Sequence, residues 1–335
     1  MTRMVNKRLT LKMIAGAAAA SLLAPLSWAQ TSATKFVSLV VPYPAGGTSD
    51  VIARALIGEM AKSLGQTVIV ENQGGAGGTI AAQKVLNAPA DGHAIFVGSP
   101  NELILAPMAI AASKFKSEDF QMIQKLGDFT LVVLAHKSIP ASNVDELMAY
   151  AAQRAKEGNP LTYGSVGIGT IYHLLGEQIS KLTGVPMTHV PYRGGSALMP
   201  DLAGGQIDLY FGSLGTNASG LISNGRLKVL GVISPERLDT YKSVPSVNES
   251  KSLKGFTYSL WQGLFVKKGT PESVIQVLHK AATSALNDPA VARTAMGGAQ
   301  MVLAKPQTLA QAEQAYADSI ERYRAIAKSI GLKPE

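Results

Sequence analysis

"VPYPAGGTSDVIARAL" (residues 41–56) decides how this chain is read. An apolar run ends at Pro42, two glycines stand at 46 and 47, and a helical pattern starts at Thr48 with Asp50 in its first turn. A strand, a glycine turn and a helix start leave bare backbone N–H groups at the turn, where a negative group is favoured. Asp50 is placed to cap that backbone and to pair with Arg54 one turn on. The other reading turns Asp50 outward to receive a donor from a ligand.

The same alternation continues in both directions. "KFVSLVVP" (35–42) reads as a buried strand, and Ile52, Leu56, Met60 and Leu64 recur at helical spacing until Gly65. "TVIVEN" (67–72) is a second strand, "GGAGGTIAAQKVLNA" (74–88) a glycine turn into a helix, and "HAIFVGS" (93–99) a third strand. Strands alternating with helices imply a parallel sheet. "FQMIQKLG" and "TLVVLAH" (120–127 and 130–136) read as consecutive strands, the second crossing into another domain. There the alternation repeats: a helix capped by Ser142, a strand at 161–165, a helix with Ile171, Leu174, Leu175, Ile179 and Leu182 on one face, and "RLKVLGVIS" (226–234). An irregular run leads to "LWQGLFVKK" (260–268), Thr270 and Pro271 open a helix, and a last helix follows Thr308. The expected fold is α/β with two hinged domains and a ligand cleft between them. Domain 1 is discontinuous (30–130 and 240–335), domain 2 spans 131–239, and segments near 131–136 and 229–236 form the hinge.

Residues 1–29 read as an export signal. Arg3, Lys7, Arg8 and Lys12 precede an apolar run, Met13 to Leu26, too short to span a bilayer, and Ser27-Trp28-Ala29 offers a cleavage site after Ala29. "NKRLTLK" only loosely resembles a twin-arginine signal. Four of the 31 basic residues and none of the 23 acidic ones lie in this segment, so the remainder carries a net charge of +4. That is too mild for a nucleic-acid partner, and no basic run interleaved with aromatics occurs. The absence of Cys excludes disulfides, thiolate metal sites and a Cys nucleophile.

Three glycine clusters stand out: "PAGGTSD" (44–50), "QGGAGGT" (73–79) and "GSVGIGT" (164–170). None fits the dinucleotide fingerprint or a P-loop, no G-x-S-x-G or H-E-x-x-H is present, and the five His lack ligand spacing, so no cofactor and no metal is expected. The first and third clusters each follow a strand and open a helix, one per domain. Aimed at one cleft, they would bind an anion through backbone N–H groups; glycine turns are also ordinary punctuation in α/β proteins, and the residues alone leave both readings open. "QGGAGGT" reads as structural, with nothing in the second domain to pair with it. His173 reads as a structural first-turn His or a ligand contact, and Arg193 as surface or cleft rim.

Seven blocks, from "VPYPAGGTSDVIAR" through "LGQTVIVENQGGAGGTIAA", "APADGHAIFVG", "LTYGSVGIGTIYHLLGE", "HVPYRGGSALMPDLAGGQIDLYF" and "GRLKVLGVISPER" to "VPSVNE", resemble in order the signature blocks of the Bug/TctC-type solute-binding proteins of tripartite tricarboxylate transporters. The resemblance implies the two-lobed periplasmic binding protein fold (type II). It implies a small carboxylate-bearing ligand held by Tyr43, Ala45, Gly46, Gly47, Thr48 and Asp50 from one lobe and by Ser165, Gly167, Gly169, Thr170 and His173 from the other. Asn101 and Ser213, just past strand ends, are added for the far end of the ligand. "SPNELILAPMAI" (99–110) follows the family pattern only loosely.

The function expected is a monomeric periplasmic receptor, without catalysis, that delivers its ligand to two membrane transporter subunits. A sensory module on the same scaffold is the alternative. A secreted enzyme, with Asp50 and His173 as an acid–base pair, is the remaining one.

Overall fold

In the computed structural model, which describes residues 35–214, 218–329, 331, 332 and 334, strand β1 (Val37–Val41) is buried along its whole length. Such a strand needs cover on both faces, and the helices that follow supply it. β1 pairs in parallel with β2 (Val68–Asn72) and β3 (Ala94–Gly98), through helices α1 (Thr48–Leu64) and α2 (Thr79–Asn87). A buried π-helical turn, Asn101–Leu105, and short helix α3 (Ala106–Ala109) lead to β4 (Phe120–Phe129).

After Thr130 the chain enters a second sheet at β5 (Leu131–His136), then forms α4 (Val144–Lys156), β6 (Thr162–Ser165), α5 (Ile171–Thr183), β7 (Thr188–Pro191), α6 (Gly195–Gly204), β8 (Leu209–Ser213), α7 (Ala218–Ser223) and β9 (Leu227–Val232). It returns at β10 (Leu260–Lys267), followed by α8 (Glu272–Leu286), α9 (Pro289–Thr294), β11 (Met301–Leu303) and α10 (Leu309–Ser329). The two sheets run β11-β4-β10-β3-β1-β2 and β7-β6-β8-β5-β9, and each is the core of one lobe. The fold is the expected two-lobed α/β fold. Export signal and cleavage after Ala29 fall outside the described residues.

The segments expected to form the hinge, 131–136 and 229–236, fall at β5 and β9, which bond to each other inside sheet two, and the chain passes from one sheet to the other at Thr130. The run after β9 stays with lobe 2 past residue 240. Val232 N–H donates to Pro245 O (2.9 Å), and Asp145 accepts from the N–H of Ser252 (2.9 Å) and of Lys251 (3.1 Å). Caps shift by one residue. Asn143, not Ser142, caps α4 by accepting from Glu146 N–H (2.9 Å), because Ser142 N–H is itself bound by the Glu146 carboxylate. Pro271 takes the cap position of α8, since the Thr270 hydroxyl turns back to Lys267 O (2.8 Å).

Candidate functional site: a cleft between the lobes

On the lobe 1 side, α1 begins at the end of β1. Gly46 takes φ +80°, a conformation that side chains resist, and so turns the chain into the helix. Val51 N–H closes the first helical bond to Gly47 O (3.1 Å), which leaves the N–H groups of Thr48 and Ser49 at the open end of the helix, and both residues line the cleft.

Asp50 does not reach the cleft. Its carboxylate is buried and accepts from Gly46 N–H (2.9 Å), Arg54 Nε (3.0 Å) and Asn72 Nδ2 (2.9 Å). Burial opposes the charge, but these bonds outweigh it and hold the carboxyl below its ordinary value. Asp50 is a staple that shapes the turn. Ala45 is exposed and also stands outside the lining.

The second lobe departs from expectation. In 165–170 three N–H groups are bound within the protein: Gly167 N–H to Ser165 Oγ (3.2 Å), Gly169 N–H to His173 Nδ1 (3.2 Å) and Thr170 N–H to Gly167 O (3.3 Å). The first amide of α5, Ile171 N–H, donates to Asn101 Oδ1 of lobe 1 (2.8 Å). Ser165 Oγ lies 2.7 Å from His189 Nε2, and the His189 and His173 rings stack at 4.1 Å. Burial, with His173 beside it, pushes His189 down to about 4. Ser165, Gly167, Gly169, Thr170 and His173 are therefore absent from the cleft lining. Their loop packs on lobe 1 instead. A Cβ on Gly169 would stand 2.4 Å from Ala109 Cβ, and one on Gly167 would stand 3.4 Å from Gly77 Cα. So "QGGAGGT" does have a partner in the second lobe, and it is this loop.

The lobe 2 residues that line the cleft come from "YRGGS". Gly194 is the extended cap of α6, and the N–H groups of Ala197 and Leu198 both donate to its carbonyl (3.2 Å). Gly195 and Ser196 thus carry the open amides of a second helix start, and both line the cleft. Nothing in their spacing marks them as different from the other glycine turns, which is why sequence reading passed over them and over Ser49. Arg193 is exposed and lines an outer hollow beside Gly77 and Gly167, not the cleft.

Among the described residues, no charged side chain lines the cleft. Its polar back wall includes Tyr43, Ser99, Asn101, Tyr172, Tyr210 and Ser213. Tyr172 Oη and Ser213 Oγ lie 2.9 Å apart, and the Tyr172 and Tyr210 rings 5.5 Å apart. Tyr43 donates to Glu102 Oε1 (2.5 Å), and Ser99 N–H and Oγ donate to Glu102 Oε2 (2.7 and 2.8 Å). Burial pushes Glu102 up to about 7 against those hydrogen bonds. Phe129, Val166, Met199 and Leu260 close the apolar sides. Tyr43, Gly46, Gly47, Thr48, Asn101 and Ser213 are the expected residues that meet here.

A family model described as the tripartite tricarboxylate transporter family receptor, TctC, matches residues 52–332. The chain belongs to the TctC family. This is a family of periplasmic solute-binding proteins that work with tripartite transporters, not of enzymes. The structure is similar to that of the periplasmic binding protein BugD, at 30% identity and TM-score 0.81 over 89% of this chain and 98% of that one. It is similar to MatC from Rhodopseudomonas palustris with bound malate (28%, TM-score 0.79, 87% and 98% covered). A second R. palustris protein, solved with adipate, is also similar (27%, TM-score 0.80, 91% and 100% covered).

Proposed function

We propose that the chain is a periplasmic receptor that holds a small carboxylate, a dicarboxylate first among candidates, in this cleft and delivers it to two membrane transporter subunits. One observation carries the reading: two helix starts, Thr48-Ser49 and Gly195-Ser196, come from different lobes and open onto one cleft that has no charged lining among the described residues. A carboxylate there gains about 1.5–3 kcal/mol per charge-assisted hydrogen bond, and each helix end adds about 0.3–2 kcal/mol. Micromolar affinity needs about 8 kcal/mol net, within reach of four to six such contacts without Arg or Lys. Malate and adipate in two similar structures support the ligand class.

In this reading Tyr43, Gly46, Gly47, Thr48, Ser49, Gly195 and Ser196 bind the head group, and Asn101 and Ser213 face the far end. Lobe 1 comprises residues up to 130 and from about 257 onward, with the remainder between as lobe 2. The receptor acts as a monomer, processed after Ala29. Ligand closes the lobes because the closed state offers contacts that the open one lacks.

Calorimetry with malate, adipate, a monocarboxylate, a tricarboxylate and the diamide of adipate tests the ligand class. The dicarboxylates are expected to bind at micromolar concentration and the diamide not at all. Binding of the diamide with silence from every acid would refute it. Uptake assays after deletion of the membrane subunits separate delivery from signalling.

A further inference from the structure

Glu102 is a carboxyl behind the cleft that the binding scheme above leaves without a task. It is fully buried in the π-helical turn, and no cation is among its partners in the described residues. Its surroundings are built around it. A Cβ on Gly78 would stand 2.3 Å from Glu102 Cγ, so the adjoining glycine turn is shaped to admit this side chain. The titratable groups that face it are two phenols, Tyr43 from the turn before α1 and Tyr172 from α5, and both have their ionisation pushed up, by burial first and then in part by Glu102.

Tyr43 touches both the cleft and Glu102. A phenol has one proton to give. While Glu102 is ionised, Tyr43 donates that proton inward, and only lone pairs remain for an anion in the cleft.

We propose that Glu102 is a proton-linked positioning residue, taking up one proton when a carboxylate enters the cleft. The acquired O–H of Glu102 donates to Tyr43 Oη. Tyr43 then turns its own O–H toward the ligand oxygen, while Ser99 N–H and Oγ–H still donate to the other Glu102 oxygen. The proton comes from solvent, and no bond other than O–H changes. One buried negative charge is removed as another arrives, which avoids two like charges in a poorly solvated space. The proposal rests on the carboxylate reading of the cleft and adds a pH dependence to it. Because the bound anion raises the affinity of Glu102 for its proton, binding is strongest below the Glu102 value of about 7 and weakens as pH rises through it.

The test is calorimetry of adipate binding to the full mature chain, in two buffers of different ionisation enthalpy, across a pH series centred on about 7. Both adipate carboxyls are ionised throughout most of that range, so proton uptake reports the protein. The wild type is expected to take up nearly one proton per adipate at the alkaline end and to lose affinity by up to about tenfold per pH unit there. Glu102→Gln keeps the shape, donates permanently to Tyr43 and accepts from Ser99. It should bind at the acid-side affinity at every pH, with equal heats in both buffers. Tyr43→Phe loses the donor but keeps the buried carboxyl, so it should bind weakly and with a shallower pH slope, and it serves as the second arm should Glu102→Gln fold poorly. Equal heats in the two buffers for the wild type, or an undiminished pH slope in either variant, would overturn the coupling while leaving the receptor reading intact. No heat from adipate or malate in any of the three proteins would sink the receptor reading, and the coupling with it.

Discussion

The turns at 44–50 and 164–170 look alike in sequence and do opposite things in the structure. Each follows a strand, carries glycines and opens a long helix. In the first, Asp50 ties down Gly46 from behind, and the amides of Thr48 and Ser49 are left at the cleft. In the second, Ser165, His173, the Gly167 carbonyl and Asn101 from lobe 1 take the N–H groups of Gly167, Gly169, Thr170 and Ile171 in turn. The difference teaches that a glycine turn becomes a candidate anion site only when its own side chains leave the amides unbound; every backbone N–H must be followed to its partner. In lobe 2 that condition is met one helix later, at Gly195 and Ser196.

The largest expected effect breaks this comparison at Gly169. If the 164–170 turn is a spacer between lobes, bulk there should prevent the lobes from meeting. Gly169 has φ +77°, and its Cβ would approach Ala109 Cβ to 2.4 Å. The left-handed strain costs stability, about 1–2 kcal/mol, whereas the overpacking of about 1–3 kcal/mol is felt when the lobes meet and corresponds to roughly a five- to hundredfold loss of affinity in Gly169→Val. Gly46→Ala, also at positive φ but with open space around its Cβ, should cost only about 1–2 kcal/mol of stability. Calorimetry with malate, paired with scattering to measure lobe closure, checks both. Unchanged closure in Gly169→Val would show that the turn bears no load between lobes.

Most of the fold was legible because its strands are apolar runs bounded by glycine and proline, and β1 and β10 are buried enough to show no alternation to confuse. Asp50 was legible as a staple from its i, i+4 spacing to Arg54, although its bond to Asn72 comes from a strand 22 residues away. Half of the back wall was, in Tyr43, Asn101 and Ser213; Ser99, Tyr172, Tyr210 and the carboxyl behind them were not. Nothing in "SPNELILAP" marks Glu102 as interior, whereas the π-helical turn and the glycine at 78 place it there. The role of the 164–170 turn was hidden for a similar reason: Asn101 and His189, which fix it, are distant in sequence.

The next effect sharpens the lobe 1 half. Asp50→Ala removes the acceptor of three hydrogen bonds, one of them from the half-buried Asn72, and should destabilise the chain by about 1–3 kcal/mol at neutral pH. The folded value of Asp50 is depressed, so its contribution is present above the ordinary carboxyl range and is lost as pH falls through the folded value. Wild type and variant should therefore converge in acid. Urea unfolding at several pH values measures this. A constant gap down to the acid limit would mean that the effect comes from packing, not from the charged staple.

The smallest effect sets Ser196 against Ser165, one serine from each candidate turn of lobe 2. Ser196 lines the cleft at the open end of α6, whereas Ser165 is fully buried with its hydroxyl on His189. Ser196→Ala should weaken malate binding by roughly three- to tenfold, the value of about 1 kcal/mol for one hydrogen bond, and leave the unfolding midpoint in place. Ser165→Ala should do the reverse. His189 Nε2 loses its partner, stability falls by about 1 kcal/mol, and affinity holds once the folded fraction is accounted for. A side-by-side titration and melt of the two variants decides which turn faces the ligand. If Ser165→Ala loses affinity and Ser196→Ala does not, the bound state recruits the 164–170 amides by releasing them from His173 and Asn101, and the assignment of the second cradle moves back to that turn.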